Sequence, residues 1–458
     1  MLDLILYHLF LALGVLLTLF LIAQILRERR PPAASLAWLL FIVSLPYLAV
    51  PLYLAIGVRK LHRPRKSALY SGETPSDHDS PVPDLDRLLD SYGLPGASRG
   101  DRVVFHHDGE QALAALLALL DEAQDNIDIA IFILADDPLG RQICERLQAR
   151  ARERVAVRLL LDGVGSFLLP RRRVRELEAA GIEVRWFIPV LHRPFKGRTN
   201  LRNHRKLVLA DGWRVWTGGR NLAREYFDGR DPHGQPWRDL SFHLEGPGVR
   251  HYQHLFEADW GFAGGRTRPL LTPPPASPAG TRTRLLPAGP DVPHDPLQAL
   301  LLAACFAAST EILAVTPYFV PDEPLVEALC LAARRGIRVR LILPHRSNHR
   351  LPDIARNRYL RELAEAGAEV ILLPGVMNHA KALVVDRRLG LCGSANLDLR
   401  SLYLNFEAVT LFYESTEIDW LHDWMEAQVR EGRAYQPEPP SNWRLLLEGV
   451  VVLLSFQL

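Results

Sequence analysis

The chain has 458 residues, 48% of them hydrophobic, and its 54 Lys and Arg against 52 Asp and Glu leave a formal net charge of +2. That length supports two or three domains, each with its own core, and so small a charge gives no global field of the kind that draws a protein to nucleic acid. The four cysteines, Cys144, Cys305, Cys330 and Cys392, are far apart with no Cys-x-x-Cys pair, which argues against a zinc site or a disulfide framework and predicts reduced, buried thiols.

The amino end is apolar. Leu4 to Leu26 is interrupted mildly by His8, Gly14, Thr18 and Gln24, and about 23 residues rising ~1.5 Å each cross a bilayer core. A second run, Ala33 to Val58, predicts a second span, kinked by Pro46 and Pro51. No basic residue precedes the first run and no small-x-small cleavage site is followed by a soluble chain, so it does not read as a cleavable signal. Residues 1–66 are therefore expected to form a two-helix transmembrane anchor. Arg27, Arg29 and Arg30 fall between the runs, while Arg59, Lys60, Arg63, Arg65 and Lys66 follow the second; this excess favours a multi-pass protein with cytoplasmic catalytic lobes and both termini cytoplasmic.

Ser67 to Asp84 is rich in Ser, Pro, Asp and Gly, and residues 67–99 are predicted to be a flexible linker. A second break, 264–280, holds Pro269, Pro273, Pro274, Pro275 and Pro278 and divides the body into 100–263 and 281–458. These halves repeat each other. Strand-like runs Ile127–Leu134 and Val155–Asp162 are matched by Ile312–Tyr318 and Ile337–Pro344, with helical patterns such as Arg141–Arg152 and Leu325–Arg334 between them. Ala-Gly-Ile-Glu-Val at 180–184 is echoed by Ala-Gly-Ala-Glu-Val at 366–370, each closing a helix with glycine before a strand. The pattern predicts two tandem α/β lobes, each with a covered mixed sheet.

Within the repeat lies a duplicated motif. Asn203-His204-Arg205-Lys206 runs to Asp211 and then Thr217-Gly218-Gly219-Arg220-Asn221; Asn378-His379-Ala380-Lys381 runs to Asp386 and then Cys392-Gly393-Ser394-Ala395-Asn396. Each asparagine lies 17 residues after its histidine, 204 to 221 and 379 to 396. In a strand, His and Lys two apart share a face and can grip one phosphate. Asp211 and Asp386 complete the motif at the strand ends, where they are expected to support the turn or a lysine rather than attack substrate. The Gly-Gly and Gly-Ser pairs are read as letting backbone approach an anion, with Asn221 and Asn396 donating to its oxygens.

Two histidines suit phosphoryl transfer, one attacking phosphorus while the other protonates the leaving alkoxide. The lysines would offset transition-state charge, so that neither metal nor cofactor is required. Each histidine needs an acid to fix its tautomer, and Asp239 and Glu407 follow their motifs at similar distances. His106, His107, His243, His251 and His254 are read as structural.

These residues resemble the phospholipase D superfamily, whose hallmark is a duplicated His-x-Lys-x-x-x-x-Asp motif across two α/β lobes. Within it the chain is similar to the bacterial cardiolipin synthases, through Thr-Pro-Tyr-Phe-Val-Pro-Asp (316–322), Ser-Ala-Asn-Leu-Asp-Leu-Arg-Ser (394–401), Leu-Asn-Phe-Glu (404–407) and Arg-Pro-Pro-Ala-Ala-Ser-Leu-Ala-Trp (30–38). The resemblance implies two phospholipase D-like lobes sharing one active site. It also implies transfer of a phosphatidyl group from one phosphatidylglycerol to another in the bacterial inner membrane, without metal or nucleic acid, with His204 as nucleophile and His379 as general acid and then base. Hydrolysis of phospholipids is the alternative. Arg220 departs from the expected small or apolar residue and is read as a phosphate contact or a solvated side chain. Phe187 to Lys196 mixes apolar and basic residues, as a loop at an anionic membrane or in solvent would. The apolar tail Leu445–Leu458 is too short to span and is left to dock on the bilayer or on the lobes.

Overall fold

The computed structural model describes residues 1–27, 32–57, 60, 80–189, 198–227, 229–230, 234–272, 277 and 280–453. At the amino end, α1 (Leu2–Arg27) has a mean hydropathy of 2.7 over its most apolar window and, among the described residues, is the one helix long and apolar enough to cross a membrane. The second expected span is instead two helices, α2 (Pro32–Ser44) and α3 (Pro46–Ile56). Leu45 leaves helical geometry at φ −137°, ψ 60°, because the ring of a following proline disfavours it. Trp38 of α2 meets Tyr53 of α3 edge-on at 5.1 Å, so α3 turns back along α2. At 13 and 11 residues the two helices rise ~20 and ~16 Å, each short of the ~30 Å hydrocarbon core. Arg29, Arg30, Arg59, Arg63, Arg65 and Lys66 lie outside the described residues.

The body begins with α4 (Pro83–Ser91), inside the stretch expected to be a flexible linker. Leu85, Leu89 and Leu94 join the core of the second lobe, and buried Asp86 binds Arg284 at 2.9 Å and the Tyr413 hydroxyl at 2.7 Å. The tether reading therefore fails from residue 83 onward. A helix of nine residues carries too little periodicity to stand out from a polar segment.

The first lobe contains β1 (Ser98–His106), α5 (Gly109–Glu122), β2 (Asn126–Ile131), α6 (Pro138–Arg152), β3 (Ala156–Asp162), α7 (Arg171–Ala179), β4 (Glu183–Phe187), β5 (Leu207–Ala210), β6 (Arg214–Gly218), β7 (Trp237–Arg238), β8 (Ser241–Glu245) and α8 (Val249–Phe262). The second contains β9 (Thr281–Ala288), α9 (Pro296–Ala307), β10 (Glu311–Val315), β11 (Phe319–Val320), α10 (Glu323–Arg334), β12 (Arg338–Pro344), α11 (Arg350–Glu365), β13 (Glu369–Leu373), β14 (Met377–Asn378), β15 (Ala382–Val385), β16 (Leu389–Gly393), β17 (Leu397–Asp398), α12 (Leu399–Tyr403), β18 (Glu407–Phe412), α13 (Ser415–Glu431), β19 (Arg433–Ala434) and α14 (Asn442–Leu453).

One fifteen-stranded mixed sheet runs through both lobes in the order β19-β13-β12-β10-β15-β16-β18-β9-β1-β8-β6-β5-β2-β3-β4. Read outward from the antiparallel β1–β9 seam, the lobes present the same sequence of strands. In each, three parallel strands (β2-β3-β4 and β10-β12-β13) flank an antiparallel set.

The repeat extends to its ionic and backbone details. Arg158 of β3 is buried between Asp128 and Glu257 of α8, and Arg340 of β12 between Glu311 and Glu426 of α13. Removing one member of such a buried set costs about 3–5 kcal/mol. Gly181 and Gly367 sit after their helices at φ +93° and +96°, the left-handed geometry that ends a helix without a Cβ penalty. The four cysteines are buried and unpaired.

The motif aspartates belong to this framework. Asp211 and Asp386 occupy the left-handed turns after β5 and β15, at φ +53° and +51°, which aspartate tolerates better than most residues. Asp211 accepts from the amides of Gln124, Asp125 and Asn126 and from Arg214; Asp386 accepts from the amides of Ser309, Thr310 and Glu311 and from two hydroxyls. Each thus staples the start of β2 or β10. Burial pushes the Asp386 carboxyl up, yet the Glu311, Thr310 and Ser309 amides win and hold it at about 2. Asp386→Ala is expected to destabilise the body by on the order of 2–4 kcal/mol at pH 7. The depressed value stabilises the fold above the ordinary carboxyl range, so the gap between wild type and variant should narrow as pH falls from about 4 towards 2. Urea unfolding in mild detergent at pH 7 and 3 tests both.

Candidate active site

The two His-x-Lys segments are not part of the sheet ladder. They lie in extended chain just ahead of β5 and β15, where the backbone bonds to the opposite lobe. The His204 amide donates to Phe406 O at 2.9 Å, and the Phe406 amide donates to Arg202 O at 2.9 Å. Equivalently, β14 pairs in parallel with β7, and the His379 amide donates to Arg238 O at 2.6 Å. These bridges end one residue short of a carboxylate. Glu407 follows Phe406, and Asp239 follows Arg238.

The acids are consequently exchanged. His204 Nδ1 lies 3.0 and 3.1 Å from the two Glu407 oxygens, and His379 Nδ1 lies 2.7 Å from Asp239 Oδ2. The sequence brings Asp239 and Glu407 to the histidines as expected; what it does not reveal is that each serves the other lobe's histidine. A carboxylate on Nδ1 fixes its proton there and leaves Nε2 as the reacting nitrogen.

Lys206 and Lys381 fold back on their own segments, donating to the carbonyls of His204 and His379, and Lys381 Nζ also lies 2.7 Å from His379 Nδ1 and 3.2 Å from its Nε2. The six groups form one electrostatic unit, since Lys206 acts on His379, Lys381 acts on His204, and Lys206 and Lys381 each feel both carboxylates. Burial lowers His204 to about 4 against the opposing pull of Glu407, and lowers His379 to about 3 with the Lys381 charge adding to it. Burial also brings Lys381 down to about 8 and Lys206 well below its ordinary range. For Glu407 and Asp239 burial works upward, but His204 and Lys206 around the first, and Lys381 and His379 around the second, hold both carboxyls low and ionised. Both imidazoles are therefore neutral at pH 7 without an anion.

Aromatic rings wall the site. Phe132 stands edge-on to His204 at 5.1 Å, and Tyr226, Trp237 and Tyr318 surround His379 at 5.1, 5.7 and 6.4 Å. Their apolar faces lower the polarity around the histidines, which strengthens charge interactions inside.

Several sequence-derived roles are revised. Gly219 makes room for a carboxylate of the protein rather than for substrate, because a Cβ there would lie 2.1 Å from Asp239 Oδ1. Its counterpart Ser394 donates its hydroxyl to Glu407. Arg220 is neither solvated nor aimed at substrate: it is fully buried, donates to Tyr226 O and Ser241 Oγ, and its charge helps hold Asp239 low. Asn221 accepts through Oδ1 from the Ile133 amide, and Asn396 donates to Asp398 at 2.9 Å, contacts that tie both to the loops around the site beside their expected phosphate role. Asp211 and Asp386 are at the far ends of β5 and β15, away from the histidines. His106 and His243 stack at 5.4 Å between β1 and β8, a structural role. Phe187 is packed against Phe262 and Phe406 rather than lying at a surface, and residues 190–196 of that predicted loop lie outside the described ones.

Sequence reasoning missed Arg205, which is fully buried against Asp259 at 2.6 and 2.7 Å and donates to Glu407 O, setting the backbone of the acid. The signal was its place inside the motif, where Ala380 stands in the second copy and Asn378 bonds Gln428 instead of an aspartate. Among the described residues, Glu311, His422 and Glu426 converge as metal ligands would, but Arg340 already supplies the cation there.

The exchange makes a distinctive prediction. Glu407→Gln should lower the His204 imidazole further and free its tautomer while leaving His379 nearly untouched, and Asp239→Asn should do the converse. Nitrogen-15 NMR of the imidazoles across a pH series reads both; an effect on the same-lobe histidine would contradict the pairing.

A sequence profile described as "Cardiolipin synthase, PLD-like domain" matches residues 116–260 and 301–429, and one described as "Phospholipase D-nuclease N-terminal" matches 16–57. The chain is 32% identical over 447 residues to a cardiolipin synthase of Geobacillus kaustophilus, covering 92% of this chain and 88% of that protein. It is also 32% identical over 400 residues to cardiolipin synthase A of Pseudomonas fluorescens, covering 83% of each. In fold it is similar to the crystal structure of phosphatidylserine synthase from Haemophilus influenzae, with a TM-score of 0.60 at 15% identity over 82% of this chain and 100% of that one. With most of both lobes matched and relatives aligned nearly end to end, the chain belongs to the cardiolipin synthase family of phospholipase D-like proteins.

Proposed function

We propose that the protein is a phosphatidyltransferase that joins two phosphatidylglycerol molecules into cardiolipin and releases glycerol. The observation that carries this is the pair of neutral imidazoles in one buried site, each held through Nδ1 by the opposite lobe's carboxylate and each leaving Nε2 to react. The family's synthases support transfer over hydrolysis. Apolar α1 supports a membrane location and a phospholipid rather than a nucleic acid, and the basic residues that follow the second apolar run favour lobes on the cytoplasmic side.

His204 Nε2 attacks phosphorus, the bond from phosphorus to the glycerol oxygen breaks, and His379 Nε2–H gives its proton to that oxygen. The assignment of His204 rather than His379 as nucleophile follows the family resemblance, both side chains being buried. The second phosphatidylglycerol then yields its hydroxyl proton to His379 Nε2 and attacks the phosphohistidine, breaking the N–P bond. Lys206 and Lys381 offset charge on the non-bridging oxygens. The anionic headgroup also raises the suppressed histidines and lysines, so binding itself loads the proton that His379 delivers.

His204→Ala and His379→Ala are each expected to lower turnover by about a thousand-fold or more. Purified protein in detergent, given phosphatidylglycerol and chelator, should form cardiolipin and glycerol by mass spectrometry. Phosphatidic acid without cardiolipin would sink the transferase reading. Separately, calorimetric titration with a soluble phosphodiester at pH 7.5, in buffers of different ionisation enthalpy, should show uptake of roughly one proton. Heats independent of buffer would contradict substrate-driven protonation.

A further inference from the structure

Two adjoining cavities of about 680 and 660 Å³ open in the second lobe between α11, α14 and the β13–β19 edge, sharing His345, Arg346, Leu372, Tyr435 and Gln436 as a common wall. This volume is ample for a phospholipid headgroup. The first is lined by Arg346, Arg350, Arg356 and Arg444 against only two carboxylates, Asp353 and Glu438, and Arg433 lines the second. Arg346 and Arg350 are exposed and form no ion pair among the described residues. Arg356 is different. It is 5% exposed, held by the carbonyls of Pro344 and His345 and paired with Asp353 at 3.3 Å, while its Nε has no hydrogen-bond partner among the described residues.

Arg444 of α14 lines the groove, and the same helix carries an apolar surface. Of the carboxyl-terminal tail, residues 454–458 lie outside the described ones, and the rest is α14. One face of α14 is fixed on the lobe by Glu448, buried against Arg361 at 3.1 Å, and by Val451, which packs with Val320 and Ala355. The other face leaves Trp443 80% exposed, with Leu446, Leu447 and Val450 about half exposed and Leu351 of α11 likewise open. Arginines around a cavity beside a helix face with an outward Trp and aliphatic row match a phosphate with hydrocarbon chains attached.

We propose that this groove binds the phosphodiester headgroup of an anionic phospholipid, with its acyl chains lying along the outer face of α14. The site is distinct from the catalytic one but shares a wall with it. His345, Arg346 and Ser347 line the groove, while Asn348, next in the chain, accepts from the Tyr318 hydroxyl at 2.5 Å, and Tyr318 faces His379. A lipid held there sets the active-site mouth of lobe 2 at the bilayer surface. The inference rests on the phospholipid reading of the active site.

The test uses full-length protein in mild non-ionic detergent with a photoactivatable phosphatidylglycerol, and maps cross-linked peptides by mass spectrometry. Cross-links are expected in 345–361 and 442–453 as well as around the histidines, competed by unlabelled phosphatidylglycerol but not by phosphatidylcholine or millimolar inorganic phosphate. Arg346→Glu with Arg350→Glu should cut the groove cross-links about ten-fold or more while sparing those at the active site. Arg346→Gln with Arg350→Gln, which keeps the helix start neutral, should cut them to a smaller extent and serves if the reversed variant does not fold. Groove cross-links that are absent, that survive both variants, or that phosphatidylcholine competes equally would overturn the proposal; displacement by inorganic phosphate alone would reduce the site to a free-anion site and overturn its lipid assignment. Loss of cross-links at the histidines too would instead remove the phospholipid reading beneath it.

Discussion

Everything in the catalytic body depends on the reciprocal exchange of carboxylates between lobes. Glu407 and Asp239 are almost wholly buried, and an isolated carboxylate in such a place would be prohibitively costly. Each is made tolerable by a histidine and a lysine from the other lobe, and that carboxylate in turn opposes the burial that lowers each lysine. The backbone bridges at Phe406 and Arg238 set the geometry to within one residue. Folding and site assembly are thus one event. Separating the lobes would leave two buried acids, two cations and two histidines without their tautomer-fixing partners. The antiparallel β1–β9 pairing, with its register shift between Arg99 and Asp101, joins the lobes and opposes this.

The two copies have diverged as sets rather than residue by residue. Asp239 is short, and Gly219 stands beside it because any side chain there would collide with it. Glu407 is longer by one methylene, and Ser394 in the equivalent position reaches it with a hydroxyl. Arg205 with Asp259 in one lobe is replaced by Ala380 with Gln428 in the other, a charged brace exchanged for a neutral one. Arg220, buried behind Asp239, faces Ala395 across the same alignment of motifs. A pseudo-symmetric frame therefore carries two unequal halves, as a reaction with separate nucleophilic and acid roles requires.

Much of this was legible in the sequence, and what was not has a common cause. Periodicity located β2, β3, β10 and β12, and the Ala-Gly-x-Glu-Val echo marked two helix ends whose glycines do adopt the left-handed geometry. The motif spacing brought together His204, Lys206, His379 and Lys381. Local patterns report local structure, however, and the failures lie where distant chain decides. Glycine-glycine reads as room for an anion until Asp239 is known to lie against it. Arg220 reads as solvated until Asp239 and Ser241 surround it. The second apolar run reads as one span because hydropathy is blind to the choice Leu45 makes before Pro46, and α4 hides in a polar segment because its anchors, Arg284 and Tyr413, are some two hundred or more residues away.

The charge balance of the site also bears on the phosphate it can process. Two lysines face two ionised acids, while burial strips both imidazoles of their protons. A phosphodiester brings a single negative charge, and one returning proton neutralises it; that proton belongs on the histidine facing the leaving oxygen. In the proposed transfer that single proton is the one delivered to the leaving oxygen, so the substrate's own charge supplies what burial has removed from the site.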